Sequence, residues 1–191
     1  ATQVKNLPRS GIRDFFELVL GLDDVISLGV GEPDFSAPWH IREAAIFSLE
    51  KGHTSYTSNL GLLSLREEIS KYVTEQFDVT YDPKSEILIT VGVSEALDLA
   101  CRALLNPGDE VIYHEPCYVS YNPSIALAYG VAVPVETKVE DEFVLKAEDV
   151  EAKISDKTRL LLLNFPTNPT GAVEPIEELE KIAKLAVKHD L

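Results

Sequence analysis

The segment from Leu160 to Ile182, LLLLNFPTNPTGAVEPIEELEKI, limits the possible folds more than any other part of this chain. Four consecutive leucines leading into Asn164 read as a buried strand. Pro166 and Pro169 lack backbone N–H groups and Gly171 permits positive φ, so the residues between them suit neither sheet nor helix. A helical pattern begins at Pro175 and runs to His189. Strand, irregular loop and helix in succession is the repeating unit of an open α/β sheet. Such sheets place ligands at the carboxyl ends of their strands.

The same alternation fills the second half of the chain. EILITV (Glu86 to Val91) reads as a strand ending at Gly92, and VSEALDLACRALL as a helix with Leu97, Cys101 and Leu104 aligned. NPGDEVIYHEP is a turn followed by a strand, and GVAVPVE is another strand. Lys146 to Ile154 reads as a helix, Leu160 to Asn164 as a strand and Pro175 to His189 as a helix. The expected class is α/β, with a mainly parallel sheet flanked by helices.

The first ninety residues are richer in helix and loop. We expect a helix from Ser10 to Gly21, a brief strand from Val25 to Leu28, and a glycine- and proline-rich loop, GVGEPDFSAP. A helix from Pro38 to about Gly52 follows, then a polar loop from His53 to Gly61. A longer amphipathic helix runs from Leu62 to about Phe77, with Leu65, Ile69 and Tyr72 on one face. This half is expected to wrap the sheet or a partner subunit.

Composition narrows the function. The chain has 191 residues, 45% of them hydrophobic, enough for one sizeable core. Its formal net charge of -15 argues against a nucleic-acid surface. No apolar run reaches membrane-spanning length. Cys101 and Cys117 form neither a metal motif nor a disulfide framework, so we expect reduced thiols and a cytoplasmic protein. The chain has no methionine and stops directly after a helical pattern, which suggests a piece of something longer.

Three loops hold candidate chemistry. At Val93, Ser94 and Glu95 a helix begins, and its first N–H groups have no intrahelical acceptor. With the helix dipole and the Ser94 hydroxyl they would suit a phosphate. The plainer alternative is a tight turn capped by Ser94, and the Glu95 charge opposes an anion unless its side chain points away. In HEPCYVSYNP, Tyr118 and Tyr121 sit near prolines; a tyrosine there would stack on a planar ligand or pack as part of the structure. Asn168 would offer an amide at a strand end, or belong to an ordinary turn in which Thr170 or Glu174 caps the next helix. Asn168–Pro169 is a candidate cis bond.

Together the phrases SLGVGEPDF, YTSNLGLLSLREEI, TVGVSEALDLA, NPGDEVI, PCYVSY and NFPTNPTG carry a resemblance. In this order, over nearly the whole chain, they resemble the aspartate aminotransferase family, the fold-type-I enzymes that use pyridoxal 5'-phosphate. The resemblance implies the partial large domain of that architecture. Residues 1–40 would be an amino-terminal arm and small-domain segment, and 41–191 the first part of the large cofactor-binding domain. It implies that Val93 to Glu95 hold the cofactor phosphate, Tyr118 stacks on its ring and Asn168 bonds its phenolic oxygen. Gly31 would lie near the substrate carboxylate, and Tyr56 would reach the phosphate in the neighbouring subunit of a homodimer. It also implies cis bonds at Asn168–Pro169 and Glu115–Pro116. The family's Schiff-base lysine, its aspartate partner for the pyridine nitrogen and its carboxylate-binding arginine match no motif here, so no catalytic residue is expected in this amino-terminal half. The substrates implied are an amino acid and a 2-oxo acid. A lyase of the same fold, a regulator's sensor domain and a generic phosphate-binding module are the rival expectations.

Overall fold

The computed structural model describes residues 2–7, 11, 24, 26, 31, 33 and 35–191. Three strands, β1 (Glu110–Glu115), β2 (Val131–Glu136) and β3 (Thr158–Leu162), form one parallel sheet in the order β2-β1-β3. β1 is central, and its residues 111–114 are all buried. β2 is an edge strand, which is why it tolerates Pro134. The helices are α1 (Thr2–Asn6), α2 (Trp39–Glu50), α3 (Leu63–Phe77), α4 (Gly92–Leu104), α5 (Tyr121–Leu127), α6 (Ala147–Glu151) and α7 (Ile176–His189).

The chain divides into two compact units, Ala1–Ser10 with Val91–Leu191, and Gly11–Thr90. In the first, alternation along β1 feeds two cores. Val111 and Tyr113 pack with Cys101 and Leu105 near α4 and with Ile125 and Ala128 near α5. Ile112 packs on the opposite face with Val150 of α6 and Ile182 and Leu185 of α7. The sheet is thus covered on both faces, as parallel sheets require.

The second unit is built differently. No residue of α2 is buried, and α3 buries Arg66 and Ser70. Both fasten the turn after α3: Arg66 donates to the Pro83 carbonyl and Ser70 to the Tyr81 carbonyl at 2.6 Å. Gly61, at φ +91°, lies where a Cβ would come within 2.5 Å of Ile89. A side chain there would collide with Ile89 as well as strain the backbone.

Several sequence expectations need correction. Glu86 to Val91 is not a strand; β1, β2 and β3 are the strands among the described residues, and none of them pairs with it. The Leu65–Ile69–Tyr72 face of α3 is not a core face, since Leu65 and Tyr72 are exposed. Leu104 at the end of α4 is exposed, and Leu105, just past the helix, takes the inward position. The helix expected over 146–154 is the shorter α6, and the strand expected over 160–164 starts two residues earlier. α5 was not expected: Pro123 falls in its first turn, where a missing N–H costs nothing. Ser10–Gly21 and Val25–Leu28 lie outside the described residues apart from Gly11 and Ile26.

Candidate functional site

The connections of adjacent strands decide where this sheet can bind. β1 leads into α5 on one face, whereas its neighbour β3 leads into α7 on the other. The carboxyl ends of β1 and β3 therefore diverge, and the crevice between them is the topological switch point where open α/β sheets take ligands. The loop after β1 carries Tyr118, and the loop after β3 carries Asn168. α4 reaches the same edge. Its 13 residues span about 20 Å, and β1 returns a similar distance after a short turn. Leu97 near the start of α4 and Cys117 in the loop after β1 accordingly join one apolar cluster.

At the head of α4, Gly92 takes φ +75°, which lets the chain turn sharply into the helix. Ser94 makes no capping bond; the N-cap is Val91, whose N–H is accepted by the Glu95 carboxylate. That carboxylate turns back to the helix start, and Val93 and Ser94 in the first turn are exposed.

Tyr118 is 38% exposed and meets the Tyr121 ring edge-on, with centroids 5.9 Å apart. Tyr121 in turn meets the buried Tyr113 edge-on at 6.5 Å. The Tyr113 hydroxyl donates to Glu115 at 2.9 Å, and burial followed by that bond raises its pKa. Burial and the Glu115 charge push the neighbouring Cys117 thiol up to about 11. This edge of the site is a wall of tyrosine rings, with a thiol held in its protonated form beside it.

Asn168 is exposed, and its side-chain amide makes no hydrogen bond among the described residues. The backbone that presents it is tightly held. The Thr167 N–H donates to Ala172 O at 2.9 Å, the Gly171 N–H to Thr167 O at 2.7 Å, and the Thr167 hydroxyl to Asn164 O at 3.2 Å. Glu115–Pro116 and Asn168–Pro169 are both cis, as expected; Phe165–Pro166 is a third cis bond that was not. Neither Thr170 nor Glu174 caps α7. Thr170 accepts from the Ala172 N–H, and the buried Glu174 accepts from the Leu145 N–H at 3.0 Å.

Two groups behind the loop escaped the sequence reading. His114 is 2% exposed, lies parallel to the Phe165 ring at 5.1 Å and hydrogen-bonds the Asn164 backbone. Burial holds its pKa down more than that bond raises it, so the ring stays neutral. Glu174 keeps one oxygen without a partner, and burial lifts its pKa. Neither stands in a recognisable motif; only the alternation of β1, which turns His114 away from Tyr113, would have pointed to it.

Tyr56 and Gly31 belong to the other unit. Tyr56 is fully exposed there, and Gly31 is exposed with open space around it. Trp39 is also exposed, with Arg42 over its ring at 5.6 Å. A groove of about 700 Å³ lies between α6 and α7, lined by Lys146, Glu178 and Lys181 among others; none of the candidate site residues lines it. Of the α7 lysines, Lys181 pairs with Glu178 and Lys188 with Glu151, and both are exposed.

A family model described as aminotransferase class I and II matches residues 23–191. The chain belongs to the class I and II aminotransferase family. It is 52% identical over 188 residues to a Bacillus subtilis protein named as an aminotransferase, YugH, covering 98% of this chain and 49% of that one. It is 43% identical to aromatic-amino-acid aminotransferase 2 of Thermococcus litoralis, covering 95% and 47%. Among solved structures, aspartate aminotransferase of Thermotoga maritima superposes with a TM-score of 0.95 at 38% identity, over all of this chain and 52% of that one. The chain spans about half the length of the curated relatives it matches. The expected fold, a parallel sheet flanked by helices forming part of a fold-type-I aminotransferase domain, therefore holds.

Proposed function

We propose that this chain is the amino-terminal half of a pyridoxal-phosphate-dependent aminotransferase and forms much of its cofactor cradle. The whole enzyme would transfer an amino group between an amino acid and a 2-oxo acid. The observation that supports this reading is the strand order, which puts the loops carrying Tyr118 and Asn168 after the carboxyl ends of the neighbouring strands β1 and β3, in a chain of this family.

The residues present fit the cofactor. N–H groups at Val93 to Glu95, with the Ser94 hydroxyl, would hold its phosphate dianion by charge-assisted bonds. The Glu95 carboxylate, engaged by Val91, weakens the local positive field and makes the Ser94 hydroxyl more important. Tyr118 would cover one face of the ring and keep water from it, with Tyr121 fixing its tilt. Asn168 would donate its amide to the ring's phenolic oxygen. Gly31, lacking a side chain, would leave room for the substrate carboxylate. When bound, the cofactor supplies an electron sink for loss of the substrate's Cα proton.

The base that takes this proton is, in our reading, a lysine outside these residues; Lys181 and Lys188 are already engaged in surface ion pairs on α7. Tyr56 would serve the partner subunit's phosphate, making the enzyme a homodimer. Residues 1–40 would form the arm and small-domain segment and 41–191 the first part of the large domain. With Cys101 and Cys117 both free, we place the protein in the cytoplasm. No helix among the described residues is long and apolar enough to cross a membrane.

The test uses the full-length protein. Purified enzyme should absorb in the visible range and convert a 2-oxo acid to its amino acid at the expense of a donor. Release of ammonia without amino transfer would overturn the reaction assigned, and absence of any bound chromophore would overturn the cofactor.

A further inference from the structure

The loop after β3 presents Asn168 from an exposed position, so something beneath must fix its direction. Phe165 packs against the core cluster that includes Ile112, Leu145 and Ile182, and one polar side chain from outside the loop also reaches residues 164–168. His114, the fifth residue of β1, lies under the loop with its ring 7° from parallel to Phe165. It also bonds the Asn164 backbone. Its Nε2 has no partner among the described residues, so Nδ1 makes that bond. Asn164 is itself tied onward: its carbonyl accepts from the Thr167 hydroxyl, and its side-chain oxygen accepts from the Asn168 N–H at 3.4 Å. The path from His114 to Asn168 thus runs through two residues, with ring packing on one and hydrogen bonding on the other.

We propose that His114 is a positioning residue for the cofactor site, holding Asn164 and Phe165 so that the Asn168 amide points at the cofactor's phenolic oxygen. This rests on the aminotransferase reading above. His114 touches neither cofactor nor substrate. It acts because a buried planar ring can stack and donate at once, which an aliphatic residue cannot do. A shift of the Asn168 amide by a fraction of an ångström weakens a bond to the oxygen that carries charge when the chromophore is deprotonated. Weakening a hydrogen bond to the charged form raises the pH at which that form appears.

The experiment follows the bound chromophore in the full-length holoenzyme. Asn168→Ala sets the reference: it should move the pH midpoint of the visible band upward by about one unit and speed cofactor dissociation about tenfold. His114→Phe keeps the stack and loses the donor, and should move both quantities in the same direction by a smaller amount. His114→Asn places a side-chain N–H near the position of Nδ1 and should recover part of the loss. Phe165→Leu removes the stack from the other side, provides a second route should His114→Phe fail to fold, and should also raise the midpoint. A folded His114→Phe or Phe165→Leu variant with wild-type midpoint and dissociation rate, beside a shifted Asn168→Ala, would overturn the proposal while leaving the cofactor reading intact. An unshifted Asn168→Ala would remove the reading beneath it, and the proposal with it.

Discussion

The two units of this chain are held together by different kinds of interaction. In Val91–Leu191 the sheet buries aliphatic and aromatic side chains on both faces, and Ile112, Ile125 and Val150 are fully buried. In Gly11–Thr90 the described helices leave Trp39, Ile41, Ile46 and Phe47 at least half exposed, and the buried positions of α3 are an arginine and a serine. The difference teaches that apolar content does not locate a core. A core needs a second surface, and β1 has one on each side, whereas α2 has none among the described residues.

The largest effect that would break this contrast is a core deletion. Ile112→Ala should cost about 2–5 kcal/mol, by transfer free energy and the cavity left in the central strand. Ile46→Ala, at a half-exposed helical position, should stay within about 0.5 kcal/mol, since alanine favours helix. Urea unfolding of the 191-residue chain measures both. Equal losses would mean that α2 is covered in solution and that the contrast is false.

Next comes the polar fastening of the second unit. Arg66→Met keeps much of the volume but strands the Pro83 carbonyl, and should cost about 1.5–3 kcal/mol as the loss of a bond from a charged donor. Leu65→Ala on the exposed face should cost less. The order matters more than the values. If Leu65 proved the costlier site, the sequence reading of an apolar face through Leu65, Ile69 and Tyr72 would be right after all.

That reading shows what could be read from the sequence. Helical spacing correctly gave α3 but not its inward face, because periodicity marks a stripe and not its cover. The three strands were legible where β-branched and leucine runs met turn residues, and so were the two cis prolines carried by the resemblance. Glu86 to Val91 looked as strand-like as β1, yet a strand is a pairing and no sequence pattern of one segment contains its partner. Of the site, Ser94, Tyr118 and Asn168 stood in motifs, and the fold brings their loops to one sheet edge. His114 and Glu174 were invisible because their partners, Phe165 and Leu145, are 51 and 29 residues away.

Within the sheet unit, Glu174 sharpens the comparison through pH. Burial raises its carboxyl above the ordinary value of 4.5; the Leu145 N–H pulls it down and the Glu178 charge adds to the rise. The folded state therefore binds this proton more tightly than the unfolded chain. Its contribution is most favourable below 4.5 and declines as pH rises through the higher folded value. Glu151 and Glu178, both lowered by lysine partners, work the other way, losing their contribution as pH falls. Glu174→Gln keeps an acceptor for Leu145 and removes the titration. Its urea midpoint relative to wild type should climb as pH goes from about 4.5 to neutrality. A constant difference across that range would show that the buried carboxyl does not titrate with folding.

The smallest effect on folding belongs to Tyr56, and its meaning lies elsewhere. A fully exposed loop tyrosine makes no contribution that its hydroxyl could lose, so Tyr56→Phe should leave stability within about 0.5 kcal/mol. Exposure alone would make it an ordinary surface residue of the less well-covered unit. The proposed role across a dimer predicts something more: in the full-length enzyme the same change should weaken cofactor affinity by about 1.5–3 kcal/mol, the value of a bond to a charged acceptor. A mixed dimer separates the two views. One subunit carries Tyr56→Phe, and the other lacks the lysine proposed to anchor the cofactor. The site that keeps its lysine is then the one deprived of the partner's phenol, and it should lose cofactor faster than in a mixed dimer whose lysine-lacking subunit retains Tyr56. Equal rates would confine Tyr56 to its own subunit and leave its exposure without a function.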